Sequence, residues 1–318
     1  MTIPQIIAAR QSAGFSLEVL PPLKGRGISQ LFKNIDALTE FNPLYINITT
    51  HRSEMVFKTT PEGLYRKMSE RSRPGTVAVA AAIQQRYELP AVPHIICSGY
   101  SKAETEYALI DLSFLGITNL LVLRGDPAKH ENRFIPNTDG HAHACELQGQ
   151  INDFNRGVFL DGTQMDIMPP TPFSYGVAGY PEKHEEAPNL EMDIAWLKNK
   201  VDLGAEYIVT QMFFDNRHFF SFVERCREAG INVPIIPGIK PIVNLNQITV
   251  LPKVFGVDFP TDLAKELMAC KTDDDIKQVG VEWCLSQSRE LIANGAPSIH
   301  YYTLNATASV KKVVKEIF

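Results

Sequence analysis

The chain has 318 residues, 44% hydrophobic and 21% charged, which is ordinary for a globular protein long enough for one large domain or two medium ones. A net charge of −5 and a pI near 5.9 give no broad electropositive surface, arguing against nucleic acid and anionic membrane as partners. No apolar run approaches the ~20 residues that span a bilayer.

Residues 1–10 lack a charged stretch ahead of a long apolar core, so they read as a short leading helix and not as a signal peptide. Strand-like runs follow at 14–20, 44–49, 92–97, 119–124, 174–180, 206–212, 233–239 and 298–303. Amphipathic stretches alternate with them at 28–40, 75–87, 101–115, 143–155, 190–204, 216–229, 261–269 and 274–294. Ser101 with Glu104 has the form of a capping box, and Gly116, Gly204, Gly230 and Gly295 stand where helices should end.

Eight β–α repeats without a break in composition predict an α/β chain folded as one (β/α)8 TIM barrel over 1–318. The alternative is an open Rossmann-like sheet. Gly25-Arg-Gly27 after the first strand imitates a dinucleotide fingerprint, but Gln30 stands where the third glycine belongs. The stretch from Asp126 to Phe173, rich in Gly, Asn, Asp and Pro, reads as an insertion after the fourth strand that covers the barrel mouth.

The five cysteines are odd in number, far apart and without a C-x-x-C pair, as expected of reduced thiols in a cytoplasmic protein. His141-Ala-His143-Ala-Cys145 would share one face of a strand, but no second ligand cluster accompanies it, and no metal is expected.

Barrel chemistry sits at the C-terminal ends of the strands. The first strand, Phe15-Ser-Leu-Glu-Val-Leu, carries a carboxylate, Glu18, and is stopped by Pro21-Pro22. Phe15, Leu17 and Val19 alternate onto one face, with Ser16, Glu18 and Leu20 on the other. A charge there is costly unless it is paired, neutralised or used, so a structural ion pair and a catalytic acid both remain open. The other exits bring Thr49, His94, Arg124 and Asp126, Tyr180 and His184, Gln211 beside Phe213, and the run from His300 to Asn305. Polar groups converging with aromatic walls suit a planar ligand. No Ser or Cys nucleophile motif and no mid-strand Lys is present, which suits a cofactor doing redox work while side chains supply protons and orientation.

Taken together, residues 15–22, 45–50, 93–97, 123–126, 178–187, 193–200, 210–215, 236–241 and 302–305 resemble methylenetetrahydrofolate reductases nearly end to end. The resemblance implies non-covalent FAD, NADH or NADPH as donor, a folate as acceptor, and ping-pong hydride transfer. It implies Glu18 as general acid, Asp126 beside flavin and pterin, and Gln211 and Gln247 as substrate contacts. For the cofactor it implies Thr49, His94, Leu123, Arg124, Gly125, Asp126, His143, Ala178, Tyr180, His184, Asp193 and Lys200.

Two departures from the family pattern stand out. Ala306 replaces an arginine that commonly follows Tyr-Thr-Leu-Asn, leaving Lys240 or Lys311 as alternative cations for the substrate's acidic tail. Leu251 replaces an aromatic found in some relatives. The early end of the chain leads to the expectation that the regulatory domain of eukaryotic relatives, and sensing of adenosylmethionine, are absent. Self-association into a homo-oligomer is expected. The rival readings are another FAD barrel, such as a proline dehydrogenase, and a barrel reduced to a binding module.

Overall fold

A computed structural model describes residues 1–128, 131, 133–304 and 306–318. In chain order the elements are α1 (Ile3–Ala8), β1 (Gly14–Val19), α2 (Ser29–Thr39), β2 (Ile46–Ile48), β3 (Glu54–Thr59), β4 (Tyr65–Glu70), α3 (Thr76–Tyr87), β5 (Ala91–Ile96), α4 (Lys102–Phe114), β6 (Asn119–Leu123) and α5 (Ala144–Asn155). They continue with β7 (Ser174–Gly179), α6 (Leu190–Asp202), β8 (Tyr207–Thr210), α7 (Asn216–Glu228), β9 (Ile235–Ile236), β10 (Gly238–Ile239), α8 (Gln247–Phe255), α9 (Thr261–Ala269), α10 (Asp273–Ala293), β11 (Ser298–Tyr302) and α11 (Thr307–Ile317).

The main sheet runs β10-β11-β1-β2-β5-β6-β7-β8-β9. Successive strands are neighbours and the last strand, β11, pairs with the first in parallel, Glu18 opposite Tyr302. A doubly wound sheet would reverse its order at a switch point. None occurs in this order, and the fold is the α/β class of (β/α)8 barrels, as the β–α period predicts.

The chain divides into two compact units, one of Met1–Val19, Phe32–Asn47 and Ser174–Phe318, the other of Leu20–Leu31 and Ile48–Phe173. In the first, β1 is buried at all six positions and β8 at all four. Parallel strands covered on both faces lose the polar–apolar alternation. Ser16 and Glu18 therefore lie in the interior just as Phe15 and Leu17 do. Gly238 allows a close approach here, since a Cβ on it would fall 2.3 Å from the Thr210 carbonyl oxygen. Around that point Gly238 N donates to Thr210 Oγ1 (2.9 Å) and the Tyr302 hydroxyl donates to the Thr210 carbonyl (2.7 Å), which ties β8, β10 and β11 together.

In the second unit β5 pairs with β6 in parallel, α3 packs on β5, and α5 packs on β6 and α4. The helices begin and end as their sequences dictate. Ser101 and Glu104 close the capping box at α4, and Thr272 with Asp275 closes another at α10, whose first turn carries Asp273, Asp274 and Asp275 against the helix dipole.

Several elements depart from the sequence reading. β3 and β4 form an antiparallel hairpin within 51–74, where no strand is predicted. Its residues are exposed or half-exposed, including Phe57 and Tyr65, so neither hydrophobic burial nor a clean alternation marks it. The strand expected at 233–239 is split by Pro237 into β9 and β10, because proline cannot donate to a ladder. α8 forms although Pro252 lies inside it, and α11 is a further unpredicted helix. No described helix is long and apolar enough to cross a membrane.

Candidate functional site

In the first unit the parallel register of β1 and β11 sets Ser16 opposite His300. Ser16 Oγ lies 2.9 Å from His300 Nδ1, with both residues fully buried. His300 Nε2 then lies 3.8 Å from Glu18 Oε2, beyond hydrogen-bond range and within reach of electrostatic attraction. When the serine hydroxyl donates to Nδ1, the proton of the neutral ring sits on Nε2 and faces the carboxyl group. Thr303 Oγ1 donates to the Glu18 carbonyl, fixing the end of β1 against the exit of β11. A buried cation, Lys240, completes the neighbourhood, donating to the carbonyls of Tyr302 (3.4 Å) and Leu304 (3.3 Å).

A second cluster in the same unit joins five of the predicted cofactor residues. Lys200 Nζ donates to the Ala178 carbonyl (3.2 Å), His184 N donates to Asp193 Oδ2 (2.8 Å), and the Tyr180 and His184 rings meet edge to face at 4.6 Å. Burial raises the pKa of Asp193, against the His184 amide, Lys200 and Lys183, which hold it down. Beside His184, Lys183 adopts φ +128°, a sparsely populated backbone state for a residue with a side chain, while its ammonium is held by the carbonyls of His184 and Ala187. An ammonium, an imidazole and a phenol able to donate, with a carboxylate able to accept, are groups whose chemistry fits the phosphates and ribose hydroxyls of a dinucleotide cofactor.

The second unit gathers Thr49, His94, Leu123, Arg124, Gly125 and Asp126 at the exits of β2, β5 and β6. Thr50 Oγ1 donates to the His94 carbonyl, and Ser98 N donates to the Arg124 carbonyl (2.9 Å). Ser98 Oγ donates to the Asp126 carbonyl (2.6 Å), while Arg52 Nη1 donates to Ser98 Oγ (3.3 Å) and lies 3.6 Å from Glu131. Gly125 has φ +84°, and a Cβ there would fall 2.8 Å from Ser98 Cβ, so this turn admits only glycine without strain. The Arg124 guanidinium lies 4.9 Å from the centre of the Phe134 ring. Asp126 is exposed and His94 is 5% exposed.

Other predicted residues sit differently. His143 is exposed at the head of α5, and its side chain caps nothing. Gln211 Oε1 accepts from Met212 N (2.9 Å). Gln247 opens α8, and its Oε1 accepts from Val243 N (2.7 Å) and Asn244 N (3.3 Å), so its amide NH2 is the end left to face a ligand. Leu251 is core, packed with Met212, Phe214 and Ile242. Of the two cations offered in place of an arginine at Ala306, Lys311 pairs with Glu40 (2.6 Å) and Lys240 is buried against β11. Asn305 lies outside the described residues.

The strand geometry considered for His141, His143 and Cys145 does not occur. His141 is buried and bonded to Gln150 (2.6 Å), and the chain then turns into α5. Among the described residues no group of three His, Cys, Asp or Glu side chains could hold a metal ion. A cavity of about 350 Å3, lined by Lys102, Glu106, His141, Gln150 and Phe154 among others, contains none of the residues expected to hold cofactor or substrate.

Residues 2–317 match the family model described as methylenetetrahydrofolate reductase. The chain is 32% identical over 308 residues to a probable methylenetetrahydrofolate reductase (NADPH) of Caenorhabditis elegans, covering 95% of this chain and 42% of that protein. It is 31% identical over 313 residues to methylenetetrahydrofolate reductase (NADH) 1 of Arabidopsis thaliana, covering 95% and 48%. A 5,10-methylenetetrahydrofolate reductase of Salmonella typhimurium is 29% identical over 293 residues, covering 91% of this chain and 86% of that one. The chain thus spans about half the length of the eukaryotic relatives it matches. Among solved structures, a Clostridium thermocellum protein that binds two copies of 5-methyl-5,6,7,8-tetrahydrofolic acid shares the fold, with a TM-score of 0.57, 13% identity and 98% of each chain covered.

Proposed function

The chain belongs to the methylenetetrahydrofolate reductase family, and from that premise we propose that it reduces 5,10-methylenetetrahydrofolate to 5-methyltetrahydrofolate with NADH or NADPH, through non-covalent FAD and by ping-pong transfer. When bound, FAD would supply the hydride chemistry, accepting from the nicotinamide and giving to the folate. Lys200, His184 and Arg124 would answer the charge of its pyrophosphate, and Asp193 would accept from ribose hydroxyls. Thr49, His94, Leu123, Gly125, Ala178 and Tyr180 would line the remainder. His143, exposed at the N-cap of α5, would join them.

The observation that carries the reading is the carboxyl of Glu18, 6% exposed on a central strand, with an imidazole 3.8 Å away that Ser16 holds in place. Opening the five-membered ring that bridges two folate nitrogens requires a proton on the departing nitrogen. Glu18 supplies it, and the iminium so formed accepts hydride. Asp126, on the loop after β6, would steady that cation, and the amides of Gln211 and Gln247 would orient the pterin.

Two measurements test this. Purified protein should be yellow, and colourless protein that cannot be reconstituted with FAD would refute the proposal. Glu18→Gln should leave flavin reduction by nicotinamide within about twofold, while folate reduction falls by roughly 10²–10⁴. Equal loss in both half-reactions would remove Glu18 from the acid role.

A further inference from the structure

Lys240 is a buried charge to which the reaction outlined above assigns no task. It follows β10 immediately and is 6% exposed, with its ammonium held by the carbonyls of Tyr302 and Leu304 at 3.4 and 3.3 Å. Charge-assisted hydrogen bonds are typically shorter, about 2.7–2.9 Å. Two carbonyl dipoles at this distance do not neutralise an ammonium, and a buried charge is costly without an opposite one. Burial pushes the Lys240 ammonium down to about 8, and the Glu18 carboxylate is the largest influence pulling it back up, ahead of Cys284. The register brings the same two residues level. β11 lies between β10 and β1, with Ile239 opposite Tyr301 and Glu18 opposite Tyr302, so Lys240, next after Ile239, comes beside Tyr302 across from Glu18. Lys240 grips the backbone on both sides of Thr303, and Thr303 donates to the Glu18 carbonyl.

We propose that Lys240 is a positioning residue for the proton-transfer step, its ammonium stabilising the carboxylate that Glu18 becomes on protonating the departing folate nitrogen. The inference rests on reading Glu18 as the general acid. In the step, the Glu18 O–H bond breaks as the N–H bond forms. The C–N bonding pair passes to that nitrogen, and the negative charge left on Glu18 is met through space by the charge of Lys240, which keeps its own protons.

Among the described residues, Cys284 from α10 bears on Lys240, His300 and Tyr302 from β11 bear on Glu18, and Tyr180 after β7 bears on Tyr302. Burial pushes the Cys284 thiol up to about 12 and, with Glu18 and Tyr180, raises the Tyr302 hydroxyl well above its ordinary value, so both stay neutral in the working range.

The test uses the flavin-loaded enzyme and stopped-flow measurement of both half-reactions from pH 5.5 to 9.5. Lys240→Met should leave flavin reduction by NADH within about twofold. Its folate half-reaction should fall off at a pH about one unit or more higher than in the unmodified protein, because a carboxyl without a neighbouring cation keeps its proton longer. The plateau should also drop about tenfold, since the product carboxylate has lost its counter-charge. Lys240→Arg should keep the original profile, and Lys240→Gln reads the same shift if the Met variant does not fold. Coincident profiles for Lys240→Met and the unmodified protein, or an equal shift in Lys240→Arg, would overturn the proposal. Failure of the unmodified enzyme to reduce the folate, or full folate activity in Glu18→Gln, would instead overturn the underlying reading and this proposal with it.

Discussion

Ser16→Ala probes the polar contact that links β1 to β11 beside Glu18. Ser16 Oγ and His300 Nδ1 are 2.9 Å apart, and neither residue is exposed. Removing the hydroxyl leaves a ring nitrogen buried without a partner, a loss of about 1–3 kcal/mol. His300→Phe fills a similar volume but strands the Ser16 hydroxyl, at a comparable cost. The double variant removes both polar groups, so it should be less destabilised than the sum of the singles by about 1–2 kcal/mol. Urea unfolding is the assay. With a slope of about 3 kcal/mol/M or more for a chain of this size, a 2 kcal/mol loss moves the midpoint by up to about 0.7 M. The folate half-reaction should fall about tenfold in Ser16→Ala, because the ring that faces Glu18 is no longer held, while flavin reduction is unchanged. Additive single costs, within about 0.5 kcal/mol, would show that the contact carries no coupling and would refute the reasoning.

Glu182 gives a pH prediction. Burial, reinforced by the charges of Asp258 and Asp215 and opposed by a hydrogen bond from the Asp258 amide, raises its pKa to about 7. The folded protein therefore holds this proton more tightly than the unfolded chain. Stability from it is present below about pH 4.5 and lost as pH rises through about 7. Glu182→Gln lacks that loss, so between pH 5 and 8 it should gain on the unmodified protein by about 1 kcal/mol once part-exposure is allowed for, or about 2 °C in Tm. A flat or reversed difference in thermal scans at the two pH values would count against it. Gly125→Ala forces a side chain onto φ +84° with its Cβ 2.8 Å from Ser98 Cβ. It should cost about 1–3 kcal/mol in urea and lower the flavin content of the purified protein. Unchanged stability and flavin content would show that the turn tolerates a side chain.

The barrel was legible because each β–α repeat carries its own local signals. A buried apolar run, a capping residue and a terminal glycine specify an element without reference to its partners. Ser101, Glu104 and Gly116 delimit α4 in this way, and Gly116 does end it in a left-handed turn. The hairpin of β3 and β4 has no such signal, since Met55, Phe57 and Tyr65 stand exposed among charges. α8 was hidden by Pro252, which ordinarily argues against a helix interior. Within the candidate site, Glu18 was conspicuous as a charge inside an apolar strand. His300 was read only as part of the last strand's exit, because its closeness to Glu18 depends on the register between strands 284 residues apart in sequence, which no local pattern encodes. Lys240 was visible as a cation and offered for the substrate's acidic tail, but its burial was not legible, since the two-residue strand before it leaves no periodicity to read.

That register also bears on the choice between a structural ion pair and an acid at Glu18. A structural pair gains most when it closes to hydrogen-bond distance and satisfies its remaining lone pairs, because only then does attraction repay desolvation. Here the imidazole stops at 3.8 Å, anchored on its far side by Ser16, and the ammonium of Lys240 is turned to the carbonyls of Tyr302 and Leu304. Both neighbours are thus restrained by third parties and influence the carboxyl through space. A carboxyl that must lose and regain a proton in every turnover needs this arrangement, since a closed ion pair would hold it ionised. The restraint on each partner is separately removable, through Ser16 for the imidazole and Lys240 for the ammonium. If Glu18 is the acid, both changes should move the folate half-reaction and spare the nicotinamide one. If it is a structural pair, they should lower stability and affect the two half-reactions alike.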